Sequence, residues 1–195
     1  MVAVLPLLAA VAAATPAPPA DDRALFAAFR GVCSNVRKLD AMQAAAKRGK
    51  WQAVEPSAHP NLQLLVEQGL KAAKRDEPDA TYTGGQYRKM VGGRSLWMVL
   101  SRYRDSEGYW SNGCRIYHFE ATAALPGDEL TQLMGKSPSG TQPLPDDQVK
   151  YLWEPGWRSG HSVEISYIVG NDATSRKYGL KGQVLMSQAI GTPRR

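Results

Sequence analysis

The hydrophobic periodicity of this chain changes once, at Pro78, and this change constrains the fold more than any other feature. Before Pro78, apolar residues recur with the i, i+3, i+4, i+7 spacing of amphipathic helices. After it, apolar and polar residues alternate, as in half-buried strands. Helices followed by strands predict an α+β protein, in which the N-terminal helices pack mainly on one face of an antiparallel sheet of about five or six strands.

Three helices are predicted in the first part of the chain. Asp21 or Asp22 supplies the N-cap of the first helix, whose apolar residues share one face. Asp40 opens the second helix, AMQAAAKR, which a glycine closes at its C-terminal end. Asn61 caps the third helix, NLQLLVEQGLKAAKR, in which no run of β-branched residues interrupts the pattern.

The remainder of the chain predicts strands, separated by turn residues such as Gly92 and Gly93. The strand sequences are TYTGGQYRKMV, RSLWMVLSRYR, YWSNGCRIYHFEA, VKYLW, HSVEISYIV and GQVLMSQAI. Residues 126–134 predict a short helix capped by Asp128, while residues 136–147 and 170–181 predict loops. Since no internal repeat and no second domain is evident, residues 21–195 predict a single domain.

The first twenty residues have the composition of an export signal. Residues 2–14 are apolar, and the run is shorter than the roughly 20 residues that span a bilayer. We therefore predict a signal peptide over residues 1–14, a disordered Pro-rich leader over residues 15–20, and export to the periplasm or the exterior without a transmembrane anchor. An uncleaved N-terminal tail is the alternative, because no Lys or Arg precedes the apolar run.

Cys33 and Cys114 are the two cysteines of the chain and lie 81 residues apart. In an oxidising compartment such a pair predicts a disulfide. Closing a loop of this length stabilises the folded state by roughly 4 to 4.5 kcal/mol in the chain-entropy model. The alternative is a redox or nucleophilic cysteine. The sequence does not favour it, because it has no C-x-x-C motif and no histidine near Cys33.

Two segments, FRGVC and AMQAAAKRGKW, are followed much later by a strand that carries the second cysteine. This arrangement resembles a loose group of small exported alphaproteobacterial proteins, in which an early helical Cys precedes an Ala-rich helix that ends near a Gly-Trp motif. Here Lys50 separates Gly49 from Trp51. The resemblance covers residues 25–51 and, by their order, the later strands. It implies an exported α+β domain bridged between Cys33 and Cys114, and it implies no activity.

Motifs that carry known chemistry are missing from the sequence. It has no G-x-S-x-G, H-E-x-x-H, Walker A, EF-hand or G-x-G-x-x-G pattern, so neither a cofactor nor a metal is predicted. His118 and Glu120 lie two apart on a predicted strand and can chelate a metal from one face, but a third ligand is not apparent. Either His118 or His161 can also serve as the base of a hydrolase.

Aromatic and basic residues near turns give the candidate binding site. A planar aromatic ring beside an arginine can stack on a sugar or hold an anionic group. Alternatively, the tryptophans fill the open end of the sheet and the arginines lie on a solvated strand face. The candidate residues are Trp110, Trp153 and Trp157, Arg158, and the alternating pair Arg102 and Arg104.

The net charge of +6 belongs to residues 21–195 and is spread over their whole length. Without a basic cluster or an RNA-binding signature, nucleic acid is not an expected partner. We expect a non-catalytic exported domain that binds an envelope component or a protein partner. The alternatives are a hydrolase that acts on a cell-envelope polymer and an inhibitor-like or structural interaction module that works through a loop, such as residues 137–147 or 170–181.

Overall fold

Five α-helices and eight strands follow one another in the computed structural model, which describes residues 20–192. The predicted signal peptide and all but the last residue of the predicted leader lie outside the described residues. The helices are α1 (Ala20–Cys33), α2 (Leu39–Arg48), α3 (Pro60–Asp76), α4 (Gly127–Met134) and α5 (Ala173–Tyr178). The strands are β1 (Gln52–Val54), β2 (Thr81–Val91), β3 (Arg94–Arg104), β4 (Trp110–His118), β5 (Gly140–Pro143), β6 (Val149–Trp153), β7 (Ser162–Ile168) and β8 (Gly182–Gly191).

All eight strands form one antiparallel sheet in the order β1-β2-β3-β4-β8-β7-β6-β5. The predicted α+β class is therefore confirmed, but the predicted number of five or six strands is wrong. The two additional strands, β1 and β5, are the edges of the sheet and have three and four residues. Because most of their side chains are exposed, neither has the alternation of apolar and polar residues that predicts a strand.

One face of the sheet, which we call the core face, is covered by α1, α2 and α4. The disulfide between Cys33 and Cys114 is confirmed, with the two Cα atoms 5.3 Å apart and both residues fully buried. It joins the last residue of α1 to the middle of β4. The helices and strands of this core contribute, among others, Leu25, Phe29, Met42, Leu96, Met98, Ile116, Leu130, Trp153, Ile165 and Leu185.

The opposite face, which we call the groove face, carries α3, with α5 packed against it. Helices thus lie on both faces of the sheet, and of the five α-helices within residues 20–192 three lie on the core face and two on the groove face. Residues 96–100 of β3 account for the covering of the second face, because a continuous apolar run is typical of a strand that is buried on both sides. The cluster beneath α3 consists of Leu62, Trp97, Val99, Tyr117, Phe119 and Val184.

The helix starts differ in detail from the predicted caps. Asp22 lies inside α1 and is buried. At the start of α3, Nδ1 of His59 accepts a hydrogen bond from the N–H of Asn61 over 3.2 Å, so His59 is the cap. Pro60 occupies the first helical position, where a missing N–H is tolerated. None of the helices within residues 20–192 has both the length and the apolar content needed to cross a membrane.

Candidate functional site

Four basic side chains converge on a cleft of about 570 Å³ at one end of the sheet. The cleft lies between the turn that joins α1 to α2 and the loop that joins β6 to β7, beside the first residue of β4. We call it the basic cleft. Its lining residues are Ser34, Asn35, Arg37, Lys38, Ala41, Trp110, Arg158 and His161.

The disulfide fixes one wall of the basic cleft. Because Cys33 is the last residue of α1, its bond to Cys114 determines where the helix ends above the sheet. The residues that follow form a tight turn, in which the N–H groups of Val36 and Lys38 donate hydrogen bonds to carbonyl groups three residues earlier. Val36 is fully buried. Arg37 and Lys38 directly follow this buried residue, so the backbone that carries their side chains is fixed at the edge of the basic cleft.

The opposite wall is a loop held by hydrogen bonds. The N–H of Trp157 donates to Nε2 of His161 over 3.1 Å, and the N–H of Gly156 donates to the carbonyl of His161 over 2.7 Å. From outside the loop, Nζ of Lys136 donates to the carbonyls of Pro155 and Gly156, each over 2.7 Å. The loop thus presents its basic side chains from a fixed backbone.

Positive charge accumulates in the basic cleft, whose lining includes no carboxylate. Burial lowers the pKa of His161, and the charges of Arg158, Arg37 and Lys136 lower it further. Among the described residues, the ion pairs include none of Arg37, Lys38 and Arg158. Because uncompensated like charges repel one another and attract anions, the cleft is suited to an anionic group.

Trp110 gives the basic cleft an aromatic wall. This residue pairs across the sheet with Gly191, and a side chain at position 191 would collide with the indole. The ring therefore lies against the backbone of β8, where glycine leaves room for it. Since Trp110 is only half-buried and lines the cleft, it can stack on a sugar ring or another planar group that enters.

The other two tryptophans of the predicted binding set belong to the core. Trp153 is almost fully buried, and its Nε1 donates to the carbonyl of Lys136 over 3.0 Å. The ring of Trp157 packs against Phe29 and Phe26, with ring centroids 5.1 and 6.2 Å apart. Neither residue lines the basic cleft. These two tryptophans therefore lie where the alternative interpretation placed them, in the interior at the end of the sheet.

The predicted arginines are divided as well. Arg158 lines the basic cleft. Arg102 donates from Nε to Oδ1 of the fully buried Asn112 over 3.0 Å, and Arg104 is exposed at the end of β3, opposite Trp110 in the register. The structure therefore brings together Trp110 and Arg158 and leaves Arg102 and Arg104 outside the cleft.

Sequence reasoning missed Arg37 and Lys38 as members of this site. The only signal was a basic pair between two apolar residues at the end of the first helix, and such pairs are usually solvated. Nothing in the sequence connects this pair with Arg158, about 120 residues later. The connection comes from the disulfide and from the β6–β7 loop.

The two histidines considered as hydrolytic bases lie far apart. His118 is the last residue of β4, whereas His161 lies near the first, beside Trp110. The two ends are eight residue steps apart along the strand, which corresponds to about 26 Å. Glu120 lies beyond β4, with Oε1 at 3.4 Å from Nε2 of His59. The structure thus disperses the side chains from which a catalytic site would be built.

His118 belongs to a cluster of polar side chains at its own end of the sheet. Oδ1 of Asp22 lies 2.5 Å from Nη1 of Arg94. Burial raises the pKa of Glu129, and the charges of Asp22 and Asp128 raise it further. Burial also lowers the pKa of His118, whose Nδ1 is buried without a hydrogen-bond partner.

Within residues 20–192, no three His, Cys, Asp or Glu side chains are arranged to hold a metal ion.

Comparison of the chain with known proteins gave no match. No protein-family model matches the sequence, and neither the curated proteins nor the solved structures give a significant match.

Proposed function

We propose that this protein is a non-catalytic exported domain that binds an anionic saccharide component of the cell envelope at the basic cleft. The observation that supports this is the convergence of Arg37, Lys38, Arg158 and His161 around the indole of Trp110, without a lining carboxylate. Guanidinium groups bind carboxylate or phosphate in a bidentate manner, and indole rings stack on sugars. The volume of about 570 Å³ is suited to a saccharide unit, since small-molecule sites usually have 300–1,000 Å³.

The dispersal of the candidate bases supports a binding role over hydrolysis. A general base must reach its substrate and be oriented by a further group. Nε2 of His161 already accepts the N–H of Trp157, and His118 lies at the far end of β4. A hydrolase that uses His118 as its base would lose activity when this histidine is replaced by alanine. We expect His118→Ala, which lies outside the basic cleft, to restore the envelope phenotype of a deletion strain.

Export is supported by the disulfide. Both cysteines are fully buried, so the bridge is part of the packed core and not an exposed, exchangeable bond. Stable bridges of this kind form in oxidising compartments such as the bacterial periplasm. We expect the protein to be recovered from the periplasmic or extracellular fraction. N-terminal sequencing of the recovered protein should show that residues 1–14 have been removed.

The proposed ligand class is tested with three saccharide probes that differ in charge. Glucose 6-phosphate, trigalacturonate and glucose are titrated into the purified protein, and binding is followed by calorimetry and by tryptophan fluorescence. We expect one or both anionic sugars to bind and glucose to be without effect, and the two anionic probes distinguish phosphate from carboxylate recognition. Binding should weaken as salt rises, since screening acts on charges at the surface.

Two variants locate the binding. Replacing both Arg37 and Arg158 by methionine should weaken binding at least tenfold, and Trp110→Leu should also weaken it. Arg75→Met is the matched control, because Arg75 is an exposed cation on α3, on the other face of the sheet, and should leave binding unchanged. Equal binding of glucose and the anionic sugars, or an unchanged affinity in the double variant, would contradict the proposal.

Capture from the envelope identifies the natural ligand. The wild-type protein and the Arg37→Met, Arg158→Met variant are immobilised and exposed to solubilised envelope material, and the retained molecules are analysed by mass spectrometry. Saccharides retained only by the wild type are expected. If proteins are retained equally by both, the interaction-module alternative replaces the saccharide proposal.

A further inference from the structure

The groove face holds a second cavity, which is independent of the basic cleft. A groove of about 580 Å³ runs between α3 and strands β2, β3 and β4. We call it the α3 groove. At one end Leu62 of α3 is fully buried against the sheet, and at the other the hydroxyl of Tyr82 donates to the carbonyl of Ala73 over 2.9 Å. The helix is thus anchored at both ends, and the groove opens between them.

The floor of the α3 groove is a row of small residues. Gly84, Ser101 and Gly113 lie side by side on three adjacent strands in the register of the sheet. A side chain at Gly84 would collide with the backbone carbonyl of Leu100, so glycine is required there. Because no large side chain rises from this row, the middle of the sheet is recessed beneath the helix.

The helix side of the α3 groove is apolar. Leu65, Val66 and Leu70 line it, and Leu70 is 40% exposed although it belongs to the apolar side of an amphipathic helix. Gly69 also lines the groove, and a Cβ atom added there would contact nothing within 4 Å. None of residues 20–192 covers this apolar surface completely, since Leu70 stays 40% exposed, and an uncovered apolar surface is expected of a binding site for an apolar group.

One cation lies on the floor of the α3 groove. Nη1 of Arg115 donates to Oγ of Ser101 over 3.3 Å, and it would lie 2.6 Å from a Cβ at position 113, so the guanidinium rests above Gly113. Arg102 also borders the groove, but its Nε donates to Asn112, which belongs to the opposite face. No carboxylate lines the groove, and within residues 20–192 no ion pair includes Arg115.

Two further residues with hydroxyl groups line the α3 groove. Tyr117 and Ser111 line the same groove, and Ser111 accepts a hydrogen bond from Nε2 of Gln188 over 3.2 Å. Burial raises the pKa of Tyr117 to about 12, although the charge of Arg115 acts to lower it. The phenol therefore stays protonated and remains a hydrogen-bond donor at neutral pH.

We infer that the α3 groove binds a small amphipathic monocarboxylate, whose apolar chain lies along Leu65, Val66 and Leu70 while its carboxylate pairs with Arg115. Charge complementarity selects this occupant, because the one guanidinium on the floor of the groove matches a single negative charge and its fork matches a carboxylate. The apolar walls exclude a purely polar anion. The site is separate from the basic cleft, which lies on the core face.

The charge requirement is tested with decanoate and with decanol, which has the same chain without the carboxylate. Both are titrated into the purified protein below their micelle or solubility limits, and binding is followed by calorimetry and by the shift in unfolding temperature. We expect decanoate to bind and to raise the unfolding temperature, and decanol to bind at least tenfold more weakly. Absence of decanoate binding, or equal binding of both probes, overturns the inference.

Two substitutions test the position of the ligand. Arg115→Met should weaken decanoate binding at least tenfold. Gly69→Leu should abolish decanoate binding, because the leucine side chain fills the groove. Leucine favours helix more than glycine does, so the variant should keep its fold, which circular dichroism would show. Arg75→Met and the double variant Arg37→Met, Arg158→Met are controls that should bind decanoate as the wild type does. Unchanged binding in both Arg115→Met and Gly69→Leu would place the ligand elsewhere and overturn the inference.

Discussion

The N–H of Trp157 donates a hydrogen bond to Nε2 of His161 over 3.1 Å, and this bond requires an imidazole without a proton on that nitrogen. The surroundings of His161 favour the neutral form as well. The side chain is buried, and Arg158, Arg37 and Lys136 contribute positive charge. The loop between β6 and β7 is therefore built around a neutral histidine, and its protonation would oppose both the hydrogen bond and the charge distribution.

Stability should accordingly fall in mildly acidic solution. The pKa of His161 and that of His118 are lowered in the folded protein, so below pH about 6.5 the unfolded chain takes up protons that the folded chain does not. The free energy of unfolding is expected to decrease as the pH falls from 7.5 towards 5, by at most about 1.4 kcal/mol per pH unit for each histidine. Urea unfolding at a series of pH values measures this.

His161→Gln isolates the contribution of one histidine. Glutamine retains an acceptor for the N–H of Trp157 but does not titrate. We expect the variant to lose stability less steeply with falling pH than the wild type. Identical pH profiles for the two proteins would show that His161 does not contribute to the pH dependence.

The ion pair between Asp22 and Arg94 should contribute strongly to stability. The two side chains are 10% and 23% exposed, and removing one partner of a largely buried pair leaves a desolvated charge. We expect Arg94→Met to lower the free energy of unfolding by about 3 to 5 kcal/mol. Adding Asp22→Asn should restore part of the loss, which a double-mutant cycle with urea unfolding would measure.

The pair formed by Arg75 and Asp76 provides the contrast. These side chains are 72% and 61% exposed, and solvent-exposed pairs contribute about 0 to 1 kcal/mol. Arg75→Met should therefore change the free energy of unfolding by less than about 1 kcal/mol. If Arg94→Met were as mild as Arg75→Met, the buried pair would not stabilise the fold.

Two glycines of the α3 groove should respond to alanine in opposite directions. Gly84→Ala places a methyl group against the backbone of β3, so it should destabilise the protein by about 1 to 3 kcal/mol. Gly69→Ala adds a methyl group in open space within α3 and should stabilise by up to about 1 kcal/mol. Thermal and urea unfolding of both variants measure the difference. Equal effects would mean that the floor of the groove tolerates a side chain.

The disulfide should account for a large share of the stability. Replacing Cys33 and Cys114 together by alanine is expected to lower the free energy of unfolding by roughly 4 kcal/mol, because the unfolded chain regains the entropy of an 81-residue loop. Urea unfolding of the double variant measures the loss. Mass spectrometry of the unreduced wild type should show the two cysteine peptides linked, and free thiols would contradict the pairing.

Strong periodicity explains which elements were predictable. The bounds of β2, β3 and β6 equal the predicted segments, since each has several consecutive residues that alternate or are continuously apolar. The short elements β1, β5 and α5 were missed. They have between three and six residues, and pairing with a neighbouring strand or helix forms them where the local pattern gives no signal.

The sites were less predictable than the fold, because their residues meet only through tertiary structure. Trp110 and Arg158 were recognised from their turn sequences, but Arg37 joins them through the position of the α1–α2 turn. The α3 groove was not predicted at all. Its defining residues, Gly113 and Arg115, are two positions apart on a strand whose recognisable sequence signals are Cys114 and His118.

The connectivity of the disulfide has a mechanical consequence. Everything from residue 34 to residue 113, including α2, α3 and strands β1 to β3, lies inside the covalent loop. A force applied to the two ends of the chain passes through the bond and does not reach this segment. These 80 residues, with a contour length of about 290 Å, cannot be extended by tension until the bridge is reduced.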